Sequence, residues 1–212
     1  MKTKDRIVYA ALELFNEHGE RTITTNHIAA HIEISPGNLY YHFRNKQEIV
    51  REIFALYSAE LLERFTPIQG QRESLTLLKH YLDSIFTLMW KYRFFYANLP
   101  EILQRDEVLH EEYIQVQEKL QSNLIDIMRA FVDLKLLAVV EDEMKPLVTT
   151  LHMIASSWLS YQSAMSSKTH ITEQVIHQGM LQMIAVVKPK ATEQGIEQLL
   201  LLEDGVRAMN AQ

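Results

Sequence analysis

Apolar residues recur along this chain at steps of three and four, the period of a helix with one buried face. Ile7, Ala11, Leu14, Phe15 and His18 share one stripe, which Gly19 closes as a helix terminus. A second, short helix starts after Thr24, a good N-cap, and turns Ile28, Ala29 and Ile32 inward. A third follows Ser35, with Pro36 at its first position. Lys46 opens a longer helix through Ile49, Ile53 and Leu56 to about Phe65. The turn-rich stretch Thr66 to Glu73 is the expected junction.

Beyond it the helices lengthen. Leu75, Leu78, Leu82, Ile85 and Met89 mark one, and Tyr113, Val116, Leu120, Leu124, Ile127 and Phe131 another. The set Leu147, Leu151, Ile154, Trp158, Tyr161 and Met165 and the set Ile176, Met180, Met183 and Val187 continue the pattern, and residues 191–209 supply a last helix. No alternating run bounded by hairpin turns appears, so the expected fold is all-α. A three-helix head over residues 1–47 is expected to precede a helical regulatory and dimerisation domain over residues 48–212, joined by the connecting helix at about 46–65.

Composition narrows the function. At 212 residues the chain can bury a substantial core, and with no cysteine it has no disulfide, thiol nucleophile or thiolate metal site. Charges within the first fifteen residues predict no secretory segment, and no long apolar run predicts a membrane span, so a cytoplasmic protein is expected. The net charge of −6 argues against indiscriminate coating of nucleic acid. That charge is uneven: up to Arg64 there are 8 Lys/Arg against 9 Asp/Glu, and 13 against 18 thereafter. A nucleic-acid surface would therefore be a small patch near the N-terminus, where His18, His27, His31 and His42 also lie.

Three short helices, the second and third about four residues apart, have the dimensions of a helix-turn-helix unit. In the third, Leu39 and Phe43 stand four apart and can anchor the helix, leaving Asn38, Tyr40, Tyr41 and His42 for other faces. A tyrosine offers a flat ring to sugars and thymine methyls and a hydroxyl to a phosphate. Asn38 can pair with an adenine edge, Gly37 permits close backbone approach, and Lys46 with its helix N-terminus suits a phosphate.

The run "TTNHIAAHIEISPGNLYYHFRNKQEIV" resembles the DNA-binding signature of the tetracycline-repressor-like (TetR) regulators over roughly residues 5 to 56. That resemblance implies DNA-facing roles for Thr25, Asn26, Ser35, Pro36, Gly37, Asn38, Tyr40, Tyr41, His42 and Lys46. Tyr40, His42 and Lys46 are expected on phosphates; Gly37, Asn38 and Tyr41 are expected at base edges. One departure is Glu33, where the family often has glycine: it must adopt a left-handed backbone or the turn must differ. The remainder resembles the family by plan alone, although "MWKYRFFYANLPEIL" is similar to a stretch in one branch of it. The implied protein is a homodimeric repressor, released from a palindromic operator by a small, largely apolar molecule.

Other chemistry has less support. His27 and His31 have the spacing of two zinc ligands but lack a third, "HEEY" at 110–113 also suits a helix N-terminus, and Ser156-Ser157 has no nucleophile elbow. Neither catalysis nor a cofactor or metal is expected. Trp90, Tyr92, Phe94, Phe95 and Tyr96 are too many aromatics for one core stripe. An apolar pocket lined by Trp90, Phe94, Met128, Met153, Trp158 and Tyr161, with Met183 nearby, is the expected effector site. Small residues in "IASSWLSYQSAM" and "HQGMLQMIAVV" suit a two-fold helical interface. A ligand-independent architectural DNA-binding protein and an all-helical enzyme are the alternatives.

Overall fold

The computed structural model describes residues 1–68, 73–165 and 171–209. Ten α-helices are found among the described residues: α1 (Thr3–His18), α2 (Thr25–His31), α3 (Pro36–His42), α4 (Lys46–Arg64), α5 (Ser74–Lys91), α6 (Arg93–Gln104), α7 (Glu107–Asp133), α8 (Glu141–Met165), α9 (Glu173–Val187) and α10 (Glu193–Met209). No strand occurs among them; one isolated bridge, Leu137 to Ala191, ties the α7–α8 connection to the start of α10. The expected junction at Thr66–Glu73 falls partly on residues 69–72, outside the described residues.

Local chemistry starts and stops these helices where the sequence predicts. The Thr24 hydroxyl accepts the His27 N–H, and the Ser35 hydroxyl accepts the Asn38 N–H. Asn45 caps α4 through the Glu48 N–H at 2.9 Å, and Gly19 ends α1 at φ 81. The α1–α3 head buries Ile7, Phe15, Ile28, Leu39 and Phe43 together. α4 carries that core into the body through Ile49, Ile53, Phe54, Tyr57 and Leu61. Leu56, expected on this stripe, is exposed, because the inward face falls on the positions around it.

Arg93–Gln104 form a helix that the spacing of apolar residues leaves unresolved. α5 stops at Lys91 and α6 begins at Arg93, with Tyr92 fully buried at the joint. Pro100 removes a helical N–H, and Asn98 is non-helical at φ −125. The Asn98 amide donates to the Phe94 carbonyl at 2.9 Å, satisfying one group at the kink. Asn16 of α1 spans the α5–α6 joint: its Nδ2 donates to the Lys91 carbonyl (2.8 Å) and its Oδ1 accepts the Phe94 N–H (3.0 Å). Head and body thus share a hydrogen-bonded seam.

α8 packs against α6, α7 and α9. Gly179 makes the α8–α9 approach possible, since a Cβ there would lie 2.6 Å from the Trp158 ring. The Trp158 indole N–H donates to the Val175 carbonyl at 2.6 Å and fixes that ring.

Candidate nucleic-acid interface and ligand cavity

α3 stands on Leu39 and Phe43, which are 0% and 2% exposed, and turns Tyr41 outward at 84%. Tyr40 is 48% exposed, and its hydroxyl meets the Thr25 hydroxyl at 3.0 Å, so α2 and α3 share one polar edge. The His42 ring packs edge-on to Tyr41. Ser35, Pro36, Gly37 and Asn38 are exposed at the N-terminus of α3, and Asn26 is exposed on α2. A Cβ at Gly37 would meet only the Ser35 hydroxyl, at 3.9 Å, so nothing inside the protein requires glycine there. The Ile32–Ser35 turn takes the left-handed solution: Glu33 sits at φ 57. The Arg6 guanidinium, reaching over from α1, donates to the Ile32 carbonyl that ends α2.

Lys46 differs from its expected place. Its ammonium points inward, donating to the carbonyls of Glu20 (2.7 Å) and Ile23 (3.1 Å) and pairing with the Glu20 carboxylate at 2.9 Å. It closes the α1–α2 loop, whereas the exposed neighbour Arg44 makes no ion pair among the described residues. The histidines also have structural partners: His27 Nδ1 accepts the Thr24 N–H, and His31 lies 3.6 Å from Glu13. Among the described residues no cluster has the makings of a metal site.

Two buried carboxylates hold the elements together: Glu20 ties the head to the body, and Asp106 ties α4 to the start of α7. Glu20, 5% exposed, is held by Lys46 from α4 and by Arg105 after α6, the latter at 2.8 Å. Burial alone would raise its pKa, but hydrogen bonds and charge from Arg105 and Lys46 keep it below the usual value. Asp106 accepts both nitrogens of the Arg51 fork (2.7 and 2.8 Å) and caps α7 through the Leu109 N–H. Its pKa is likewise lowered against the opposing effect of burial, chiefly by Arg51.

Inside the body lies a cavity of about 180 Å³ walled by α4 to α10. Of the six residues expected to line it, Met128 does so, as does Met183. Phe94 instead packs on Phe15 of the head, with ring centres 5.3 Å apart. Trp90 stacks with Arg93, and Trp158 is the wedge against α9. Met153 and Tyr161 are 62% and 53% exposed on the outer side of α8. α8 carries two apolar stripes. The inner one presents Leu151, His152 and Ala155 to the cavity, and periodicity alone does not say which stripe faces inward. Tyr57, Phe95, Tyr96 and Tyr113 complete the wall at the α4 side; burial raises the pKa of each tyrosine, that of Tyr113 to about 12. These rings form one contact network with Phe54.

Comparison with known proteins follows the same division. The family profile described as "Bacterial regulatory proteins, tetR family" matches residues 7–53, and that described as "Bacterial transcriptional repressor" matches residues 56–199. The chain is 38% identical over 65 residues to the HTH-type transcriptional regulator QacR of Staphylococcus aureus, a match covering 31% of this chain and 35% of QacR. It is 33% identical over 87 residues to the HTH-type transcriptional regulator UidR of Escherichia coli, covering 41% and 42% of the two chains. These matches thus span less than half of either curated relative. A crystallised TetR-family transcriptional regulator from Marinobacter aquaeolei VT8 is 33% identical, with a TM-score of 0.86 over 97% of this chain and 99% of that one. With an outward tyrosine pair on a helix-turn-helix head and a match that continues through the helical body, the chain belongs to the TetR family of transcriptional regulators and is not an enzyme.

Proposed function

We propose that this regulator is a homodimeric repressor with a reading head over residues 1–47 and a regulatory domain over residues 48–212. Its two α3 helices enter successive major grooves of a palindromic operator, and a small, largely apolar molecule in the body's cavity governs release. One observation carries the reading: α3 exposes Tyr41 above a buried Leu39–Phe43 anchor, and the helix that follows, α4, walls the cavity with Tyr57. Tyr40 and His42 serve phosphates, with Thr25 orienting the Tyr40 hydroxyl. Gly37, Asn38 and Tyr41 serve base edges, and Asn26, Ser35 and Pro36 line the approach. Arg44 takes the phosphate role first expected of Lys46.

The second subunit fits the outer side of α8 and α9. Met153, Ser157, Tyr161 and Ala164 are spaced 4, 4 and 3 and are all exposed. Covering them against a second copy removes an apolar stripe from water and sets two reading helices on one face of the duplex. No helix among the described residues is long and apolar enough to cross a membrane.

The test is selection of duplexes from a random pool, followed by gel shift of the enriched sequence. A two-fold symmetric site is expected. Tyr41→Ala is expected to abolish the shift while size-exclusion chromatography still shows a dimer. Sequence-indifferent retention with a steep salt dependence would favour the architectural alternative, and loss of the dimer would place Tyr41 in the wrong interface.

A further inference from the structure

The residues that wall the cavity restrict what can occupy it. α7 contributes from Tyr113 through Leu120, Leu124 and Ile127 to Phe131. At 1.5 Å per residue those positions cover roughly 27 Å of helix, so the chamber is long for its volume. Its lining is leucine, isoleucine, methionine and aromatic rings; among the described residues no Asp, Glu, Lys or Arg takes part.

The polar groups are few and neutral. The Tyr57 and Tyr96 hydroxyls meet at 3.2 Å on the α4 side, with Tyr113 in the same wall, and His152 and Ser156 face in from α8. Burial lowers the pKa of His152, which favours the neutral imidazole at pH 7, and raises those of the tyrosines, which remain hydroxyls. A carboxylate or an ammonium inside would give up its hydration with no opposite charge to meet it. Of the two protons on the Tyr57–Tyr96 pair, one lies in the bond between them, so the pair offers one further proton and the lone pairs of two oxygens. A hydroxyl, which both donates and accepts, suits such a cluster.

Resting on the effector-binding reading above, we infer that the ligand is an uncharged, elongated aliphatic molecule with a neutral hydrogen-bonding head, of which a long-chain alcohol is the simplest form. The head sits at the Tyr57–Tyr96 pair and the tail runs along α7 beneath Leu124 and Ile127.

Calorimetric titration of the full chain with dodecanol below its solubility limit, and with dodecanoate and dodecyltrimethylammonium below their micelle concentrations, holds the twelve-carbon tail constant and varies the head group. Dodecanol is expected to bind at one site per chain, at least about tenfold more tightly than either ion. Leu124→Trp, which fills the chamber, abolishes that binding. Tyr96→Phe keeps the ring and weakens dodecanol by about tenfold; it decides the matter should Leu124→Trp fail to fold. Tighter binding of either ion, binding of none of the three, or indifference to Tyr96→Phe overturns the inference. Gel shift without any lipophile keeps the two proposals apart: DNA binding with a preference for an ion refutes the ligand class alone, and dodecanol binding without DNA binding refutes the regulator mechanism alone.

Discussion

Glu33 holds a backbone conformation that costs an L-residue about 1–2 kcal/mol. Glu33→Gly removes that strain and adds freedom to the unfolded chain, so a change in stability below about 1 kcal/mol is expected in urea denaturation. Because the substitution also removes a negative charge near the duplex, operator affinity by gel shift is expected to hold or rise. Lys46 and Arg44 make a contrasting pair. Arg44→Ala is expected to lower the slope of log affinity against log salt by about 1, the share of a single neutralised phosphate. Lys46→Ala is expected to leave that slope unchanged and to destabilise the head, since the Glu20 and Ile23 carbonyls lose their donor and the Glu20 carboxylate keeps only Arg105. The caps at Thr24, Ser35 and Pro36 were legible because capping acts within three residues. The direction of the Lys46 ammonium was not, because it depends on a loop 23 and 26 residues earlier in the chain.

The α5–α6 joint depends on a side chain from another helix. Asn16→Ala leaves the Lys91 carbonyl and the Phe94 N–H without their partner, a loss of about 1–3 kcal/mol in denaturation. Asp106→Ala removes a helix cap and one side of a bidentate ion pair together, and a loss of about 2–3 kcal/mol is expected by the same measurement. Helices with one apolar stripe, such as α7 and α9, were legible from spacing. α6 was hidden because Pro100 and Asn98 interrupt the period, although the proline itself was a visible sign of a kink. On α8 the two stripes made the inner and outer faces look alike, which is why Met153 and Tyr161 were expected in a cavity they do not line.

Across the whole molecule, head and body meet through Glu20 and the Phe15–Phe94 ring contact, while Asp106 ties α4 to the start of α7. Both carboxyls are held below their ordinary values. Their contribution to stability is complete above the unfolded pKa, near 4, and is lost as pH falls through the folded values. Urea midpoints are expected to be level from neutral pH to about 5 and to fall below about 4, with a shallower fall in the Glu20→Gln, Asp106→Asn double variant. A flat profile in the parent protein would deny these two carboxyls their part.

Tyr57 lies on α4, eleven residues from Lys46 by sequence, and the start of that helix holds the α1–α2 loop of the head through Lys46. In the proposed mechanism a shift of that ring moves α4, and equilibrium linkage makes the traffic two-way. If a cavity occupant loosens the grip on DNA by a given factor, the operator must loosen the grip on the occupant by that same factor. Titrating the occupant into protein with and without operator duplex therefore measures the communication from the chemical end, without following DNA at all.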